Sequence, residues 1–287
     1  MSLIPNHTVA PVENIGQLLT YLVRDRGFTE PDLLMVIERQ RAQELTLSEA
    51  LLQLKMVTAA DLETARRGPA PAPVAAVGVA SPTLLFVRDP LHAQAEQVRA
   101  LRSELLVRQR DAQHNRVVVV SANVGDGRSR LAASLALACA QLGQPTLLVD
   151  ADLRAPSQQL LFSLPREPGL ADTLARGASP AYLGVQGHPH LSVLTAGAMV
   201  ANPLELLCSK LFADLLASWR QSYRHVILDT SAAERGADAT AVASASGSAL
   251  LLARLNHSRL AASSELLQRL RGASVPVLGS VALKGRL

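Results

Sequence analysis

The stretch Val117–Leu131, VVVVSANVGDGRSRL, limits what this chain can fold into more than any other. Four consecutive valines are apolar throughout rather than alternating, which is the pattern of a strand buried on both faces. A glycine-bearing loop follows, and a helix is expected to open near Ser129 and run to Leu142. Gly125 and Gly127 let the backbone turn so that N–H groups point inward, and the helix N-terminus adds positive potential. A phosphate group needs this layout. Val124, Gly125, Asp126, Gly127, Arg128, Ser129 and Arg130 are therefore the candidate nucleotide-binding residues, with the Ser129 hydroxyl placed to meet a nucleotide-bound magnesium ion.

Two later segments extend the pattern. Leu147–Pro156 reads LLVDADLRAP and sets Asp150 and Asp152 at the mouth of a second apolar strand. Carboxylates at alternating positions share a side, so both can face a metal or an incoming hydroxyl. His225–Thr230, HVILDT, ends a third apolar strand on Asp229, where a carboxylate contacts magnesium through water. Further strands are expected at Leu191–Leu194, Ala249–Arg254 and Pro276–Val281, with a long helix over Pro203–Ser222. Strands alternating with helices imply an α/β fold, a mainly parallel sheet covered by helices on both faces. An aromatic content of only 3% agrees, because such layers pack through Leu, Val and Ala.

Upstream, residues 68–82 (GPAPAPVAAVGVASP) carry no charge and are rich in Pro, Ala and Gly, the composition of an extended linker. They divide a small all-α domain, 1–67, from a larger domain, 83–287. The small domain holds an imperfect repeat. Leu19 and Leu22 correspond to Leu51 and Leu54, and Thr29, Asp32 and Leu33 to Thr58, Asp61 and Leu62. Each Thr is placed to cap a helix whose third residue is the Asp, giving two helical hairpins stacked through leucine faces.

The net charge of +4 is modest, and 25 of 28 basic residues are arginine, the lysines being Lys55, Lys210 and Lys284. The charge is dispersed, with no basic stripe interleaved with aromatics, so no nucleic-acid partner is expected. Cys139 and Cys208 lie far apart in apolar segments and read as buried small hydrophobes in a reducing compartment. With no leader-like N-terminus and no apolar run of about 20 residues, a cytoplasmic chain without a transmembrane segment is expected.

On these residues the chain from about Asp89 onward resembles the P-loop bacterial tyrosine kinases associated with capsule and exopolysaccharide export. The family's nucleotide loop, Ser, two residues, Pro-Gly, one residue, Gly-Lys-Ser, is similar to Ser121–Ser129, with Arg128 in the place of lysine. Its Asp-x-Asp-x-Arg motif is matched by Asp150, Asp152 and Arg154, and its third motif by Asp229. Its Glu-x-x-Arg-x-x-Arg helix is matched by Glu96, Arg99 and Arg102, and its Pro-Gly-Leu and Asn-Pro-x-Glu-Leu-Leu segments by Pro168–Leu170 and Asn202–Leu207.

The resemblance implies ATP and Mg²⁺ as cofactors, with Ser129, Asp150 and Asp229 about the metal. It implies Asp150, Asp152 and Arg128 as catalytic residues, Asp152 serving as base for a tyrosine hydroxyl. It implies a homo-oligomer assembled through Glu96, Arg99 and Arg102, and an inner-membrane polysaccharide co-polymerase as the partner that recruits the protein to the membrane. The tyrosine cluster that such kinases carry at the C-terminus has no counterpart, the tyrosines here being Tyr21, Tyr182 and Tyr223. Two readings therefore stay open within the family: a tyrosine kinase or ATPase regulating chain length and export, or a nucleotide-responsive scaffold of the same machinery with weak turnover. A partition or division-site positioning ATPase shares the fold, but carries an early loop lysine where this chain has Asn123. The small domain loosely resembles the N-terminal domain of secretion and pilus-assembly ATPases, some of which bind cyclic di-GMP. The Arg-Leu-Gly triplets of that family are replaced by Asn14-Ile15-Gly16 and Thr46-Leu47-Ser48. The residues favour protein docking there over dinucleotide binding.

Overall fold

The computed structural model describes residues 18, 22, 26–43, 45–59, 61, 62, 74–108 and 116–285. The chain divides into two units, Met1–Pro69 and Ala70–Leu287.

In the first unit, helices α1 (Glu30–Gln43) and α2 (Leu47–Gln53) pack around a small core that includes Leu22, Val36, Leu51 and Leu62. The helix starts are set by side chains. Asp32 accepts from the Thr29 N–H at 2.8 Å, and Asp61 accepts from the Thr58 N–H at 2.8 Å, as the repeat predicts. A third cap joins them: Thr46 and Glu49 form a reciprocal capping box at the start of α2. Leu19, Tyr21 and the Asn14–Gly16 triplet lie outside the described residues.

The second unit is built on an eight-stranded sheet: β1 (Val74–Gly78), β2 (Arg116–Ser121), β3 (Thr146–Asp150), β4 (Leu183–Val185), β5 (His188–Leu194), β6 (His225–Asp229), β7 (Ala249–Arg254) and β8 (Val277–Leu283). Their spatial order is β1-β4-β5-β3-β6-β2-β7-β8. Every neighbouring pair is parallel except the β4–β5 hairpin. The helices are α3 (Leu85–Arg88), α4 (Ala93–Arg108), α5 (Arg128–Ala140), α6 (Gln158–Leu161), α7 (Leu170–Arg176), α8 (Pro203–Leu207), α9 (Lys210–Ser222), α10 (Asp238–Ser246) and α11 (Leu260–Gly272).

Alternate valines of β2 feed two cores. Val117 and Val119 pack with Leu131 and Leu135 of α5 and Val98 of α4. Val118 and Val120 pack with Trp219 of α9, Val242 of α10 and Leu266 of α11. This explains the unbroken valine run, since both faces of a parallel strand are covered. Among the described residues no helix is long and apolar enough to cross a membrane.

Four expectations need correction. The stretch 68–82 is not linker throughout: Val74–Gly78 forms β1, paired parallel to β4, and Gln186 donates its backbone N–H to Gly78 O at 2.8 Å. A Cβ on Gly78 would lie 2.2 Å from Phe162 O, so a composition typical of linkers here permits close backbone packing. The long helix over Pro203–Ser222 breaks into α8 and α9, because Ser209 accepts from the Phe212 N–H and caps a fresh helix. Cys208, at that break, is exposed, whereas Cys139 is buried as expected. Helix α5 begins one residue early, at Arg128, and stops at Ala140 rather than Leu142.

Candidate nucleotide site

Strands β3, β6, β2 and β7 are adjacent and parallel, so their carboxyl ends lie along one edge of the sheet. That is where open α/β sheets bind ligands. The glycine loop leaves β2 here. Gly125 (φ 83°) and Gly127 (φ 103°) both adopt left-handed backbone, where a side chain would be strained. The N–H groups of Arg128, Ser129 and Arg130 open α5, and first-turn amides have no partner inside a helix. A cavity of about 640 Å³ lies against Gly125–Arg130 and extends to Thr83, Ser157 and Arg254. Its size suits a small-molecule ligand.

The loop is held from two sides. Glu234, on a short turn after β6, accepts from the Val124 N–H at 2.5 Å and the Asn123 side chain at 2.9 Å. These bonds hold its carboxyl below the usual range. From the turn after β7, Arg254 donates to Gly125 O at 3.1 Å and Ser258 donates to Asp126 Oδ1 at 2.6 Å. His257 Nε2 lies 2.9 Å from Val124 O. The Asp126 side chain is fully buried, and its other oxygen accepts from the Asn123 N–H at 3.0 Å, so it braces the loop from within.

Arg128 turns inward. Its Nε donates to Thr230 O at 2.8 Å, and its Nη1 donates to Ser121 Oγ at 2.5 Å and to Asn123 O at 2.9 Å. With the side chain buried, this guanidinium bolts the loop to the end of β6. Arg130, the other loop arginine, donates to Thr83 O at 2.8 Å.

The three carboxylates meet at the same edge. Asp150 and Asp229 are register partners on β3 and β6, and both are fully buried. Burial pushes the Asp150 carboxyl well above the usual range, and the neighbouring Asp229 charge adds to the push. Burial lifts Asp229 to about 6, while the Arg128 charge and bonds from Ser129 and Gln158 pull it back. Asp152 lies close enough to raise both.

Their surroundings give them different work. Asp150 accepts from the backbone N–H groups of Asp152, Ser157 and Gln158 at 3.2, 3.0 and 2.9 Å, so it organises the turn after β3. Asp152 accepts from the N–H groups of Arg154 and Ala155. Asp229 has one oxygen, Oδ1, buried without a hydrogen-bond partner, beside Ser129. Arg154 is anchored on buried Asp238, which fixes the far end of the Asp-x-Asp-x-Arg turn.

These residues fit a magnesium nucleotide. Among the described residues no group of three His, Cys, Asp or Glu forms a metal cage. Mg²⁺ in nucleotide sites needs none, because it is held by one or two protein groups together with phosphates and waters. Ser129 and the orphaned Asp229 oxygen would hold it, and it would neutralise charge on the transferring phosphoryl group.

Away from the loop, Arg99 donates to Glu96 at 2.9 Å and to Pro90 O at 2.8 Å, and stacks over the Phe86 ring. Arg102 donates to Ala138 O at 2.8 Å, near the C-terminus of α5. The structure therefore gives both arginines partners within the chain. Sequence reasoning missed Gln158, Glu234, Arg254, His257 and Ser258. Their signal is position: Glu234, Arg254, His257 and Ser258 lie at or shortly beyond strand ends, and Gln158 opens the first helix after β3.

A glycine loop between a buried parallel strand and a helix N-terminus, with carboxylates ending two neighbouring strands, defines a P-loop nucleotide-binding protein. No family model matches the chain. It is 35% identical over 171 residues to the tyrosine-protein kinase YwqD of Bacillus subtilis, covering 59% of this chain and 72% of YwqD. It is 32% identical over 199 residues to the tyrosine-protein kinase etk of Escherichia coli, covering 69% of this chain but 27% of that relative. The solved kinase domain of Escherichia coli ETK superposes with a TM-score of 0.67 at 30% identity, over 71% of this chain and 80% of that one. The chain belongs to the family of bacterial tyrosine-protein kinases.

Proposed function

We propose that the protein binds ATP-Mg²⁺ at the 121–130 loop and transfers the terminal phosphoryl group to a tyrosine hydroxyl. The observation that carries this reading is the convergence of Asp150, Asp152 and Asp229 beside Ser129 at the carboxyl edge of the sheet. Ser129 and Asp229 hold the metal side, Asp150 fixes the turn, and Asp152 takes the proton from the incoming hydroxyl. The biological role that fits is control of exopolysaccharide chain length and export, in the cytoplasm, beside an inner-membrane co-polymerase that recruits the protein to the membrane. A homo-oligomer assembled through Glu96, Arg99 and Arg102 requires Arg99 and Arg102 to exchange their present partners for those of a neighbouring subunit.

A second reading is favoured by Arg128. Its Nε and Nη1 are committed to Thr230, Ser121 and Asn123, which leaves less of its charge for phosphate and suits a site that binds nucleotide and turns it over slowly. The protein then acts as a nucleotide-responsive scaffold of the same machinery.

One assay separates them. Purified protein is incubated with radiolabelled ATP, Mg²⁺ and a random Glu/Tyr copolymer, alongside Asp152→Asn. Labelled phosphotyrosine that disappears in the variant supports the kinase. ATP binding with no label in either protein supports the scaffold, and no ATP binding sinks both.

A further inference from the structure

An arginine stands where the P-loop pattern places a lysine, and although it lines the cavity, two of its three guanidinium nitrogens are turned to protein oxygens. Arg128 is buried, with Nε and Nη1 committed to protein oxygens. A site for polyphosphate still needs a cation near the terminal phosphates, because charge spreads over their oxygens as the phosphoryl group moves. The question is which side chain supplies it.

Strand β7 lies directly beside β2, with Leu252 the register partner of Ser121 at the start of the loop. Arg254 is two residues further on. Residues two apart on a strand share a face, and Leu252 packs in the core on the α5 side of the sheet. Arg254 is thereby carried to the carboxyl edge on the side where the loop and α5 begin. It lines the cavity together with Gly125–Arg130, and one N–H of its fork donates to Gly125 O at 3.1 Å. Among the described residues, the rest of that fork has no acceptor in the structure. A guanidinium presents several N–H donors in a planar fork that matches phosphate oxygens.

We infer that Arg254 is a phosphate-contacting cation of this site, sharing from the far wall of the cavity the role that a loop lysine holds from within. The bond to Gly125 O sets the fork at the loop mouth, and its remaining donors meet the oxygens of the outer phosphates. The specificity that follows is for the length of the phosphate chain. This inference rests on the reading of the site as one for ATP-Mg²⁺.

Calorimetric titration of wild type, Arg254→Gln and Arg254→Lys with MgATP and with AMP tests it, with melting curves confirming that each variant is folded. The expected result is a loss of about 10- to 100-fold in MgATP affinity for Arg254→Gln, the scale of one charge-assisted hydrogen bond. AMP affinity stays unchanged, and Arg254→Lys retains most of the MgATP affinity. Wild-type affinity for MgATP in Arg254→Gln overturns the inference, as does an equal loss for MgATP and AMP, which would mark a residue that only shapes the loop. Failure of the wild type to bind MgATP is a different outcome, and removes the kinase reading together with this one.

Discussion

The Gln158 side chain donates its N–H to Asp229 Oδ2 at 2.8 Å and also to Ser129 O at 3.1 Å, so one neutral amide ties the end of β6 to the start of α5. Its own backbone N–H goes to Asp150. Three chain segments that must cooperate around a nucleotide are thus joined at one fully buried residue.

Gln158→Leu keeps the volume and removes the donor. It removes a hydrogen bond to a buried carboxylate oxygen, a cost of about 1–3 kcal/mol that falls toward the lower end because the buried, unpartnered Gln158 Oε1 goes with it. Urea denaturation of the nucleotide-free protein should show a loss of this size. An unchanged midpoint would falsify the bridge.

Much of this arrangement is legible in the sequence, and the failures have physical causes. Strands β2, β3, β6 and β7 are uniformly apolar runs, and Asp150 and Asp229 stand out because carboxylates terminate two of them. Strand β4 is three residues long, too short for a periodic signal, and β1 is masked by the Pro, Ala and Gly of its surroundings, the composition of a linker. The loop motif gives no hint that Arg128 faces inward. Its acceptors Ser121 and Asn123 are local, but Thr230 is brought to it by the pairing of β2 with β6, a long-range contact that no motif spells out. For the same reason the division of labour between Asp150 and Asp229 appears only once the turn over 151–158 closes on Asp150.

The described tyrosines are unsuited as phosphoryl acceptors. Tyr223 is fully buried, and Tyr182, also buried, accepts from Trp219 Nε1 at 2.7 Å. Burial raises both phenols above their ordinary range. After incubation with labelled ATP, peptide mapping by mass spectrometry should find no phosphate on Tyr182 or Tyr223. Phosphate on either, in protein that remains folded, would contradict the packing described. Tyr182→Phe should also cost about 1–3 kcal/mol, because the indole N–H loses its acceptor inside the core.

The two cysteines should differ sharply toward alkylating reagents. Burial pushes the Cys139 thiol up to about 12, and Cys208 lies exposed at the break between α8 and α9. The thiolate is the reactive form, so near pH 8 iodoacetamide should modify Cys208 and spare Cys139. Adding denaturant should expose Cys139 and double the mass shift. Modification of both residues in the native protein would show that α5 opens readily, against its place in the core.

Arg128→Lys puts stability and turnover in opposition. The guanidinium spans Thr230 O on one side and Ser121 Oγ and Asn123 O on the other, in a buried pocket. A single ammonium on a flexible stem cannot hold all three at once. Nucleotide-free protein should therefore lose about 1–3 kcal/mol, as buried acceptors go unpaired. The released charge should reach into the cavity, where one well-placed cation at the transferring phosphoryl group is worth about 10²–10³ in rate. With Arg254 already contributing at the cavity mouth, the expected gain is at the lower part of that range. Urea denaturation and initial rates of phosphate release, measured on the same preparation, read the two effects separately. Lost stability with an unchanged rate would mean that position 128 serves only as a bolt between loop and sheet, and that turnover is limited elsewhere. Unchanged stability with a faster rate would mean instead that the three bonds to Arg128 contribute little to the fold.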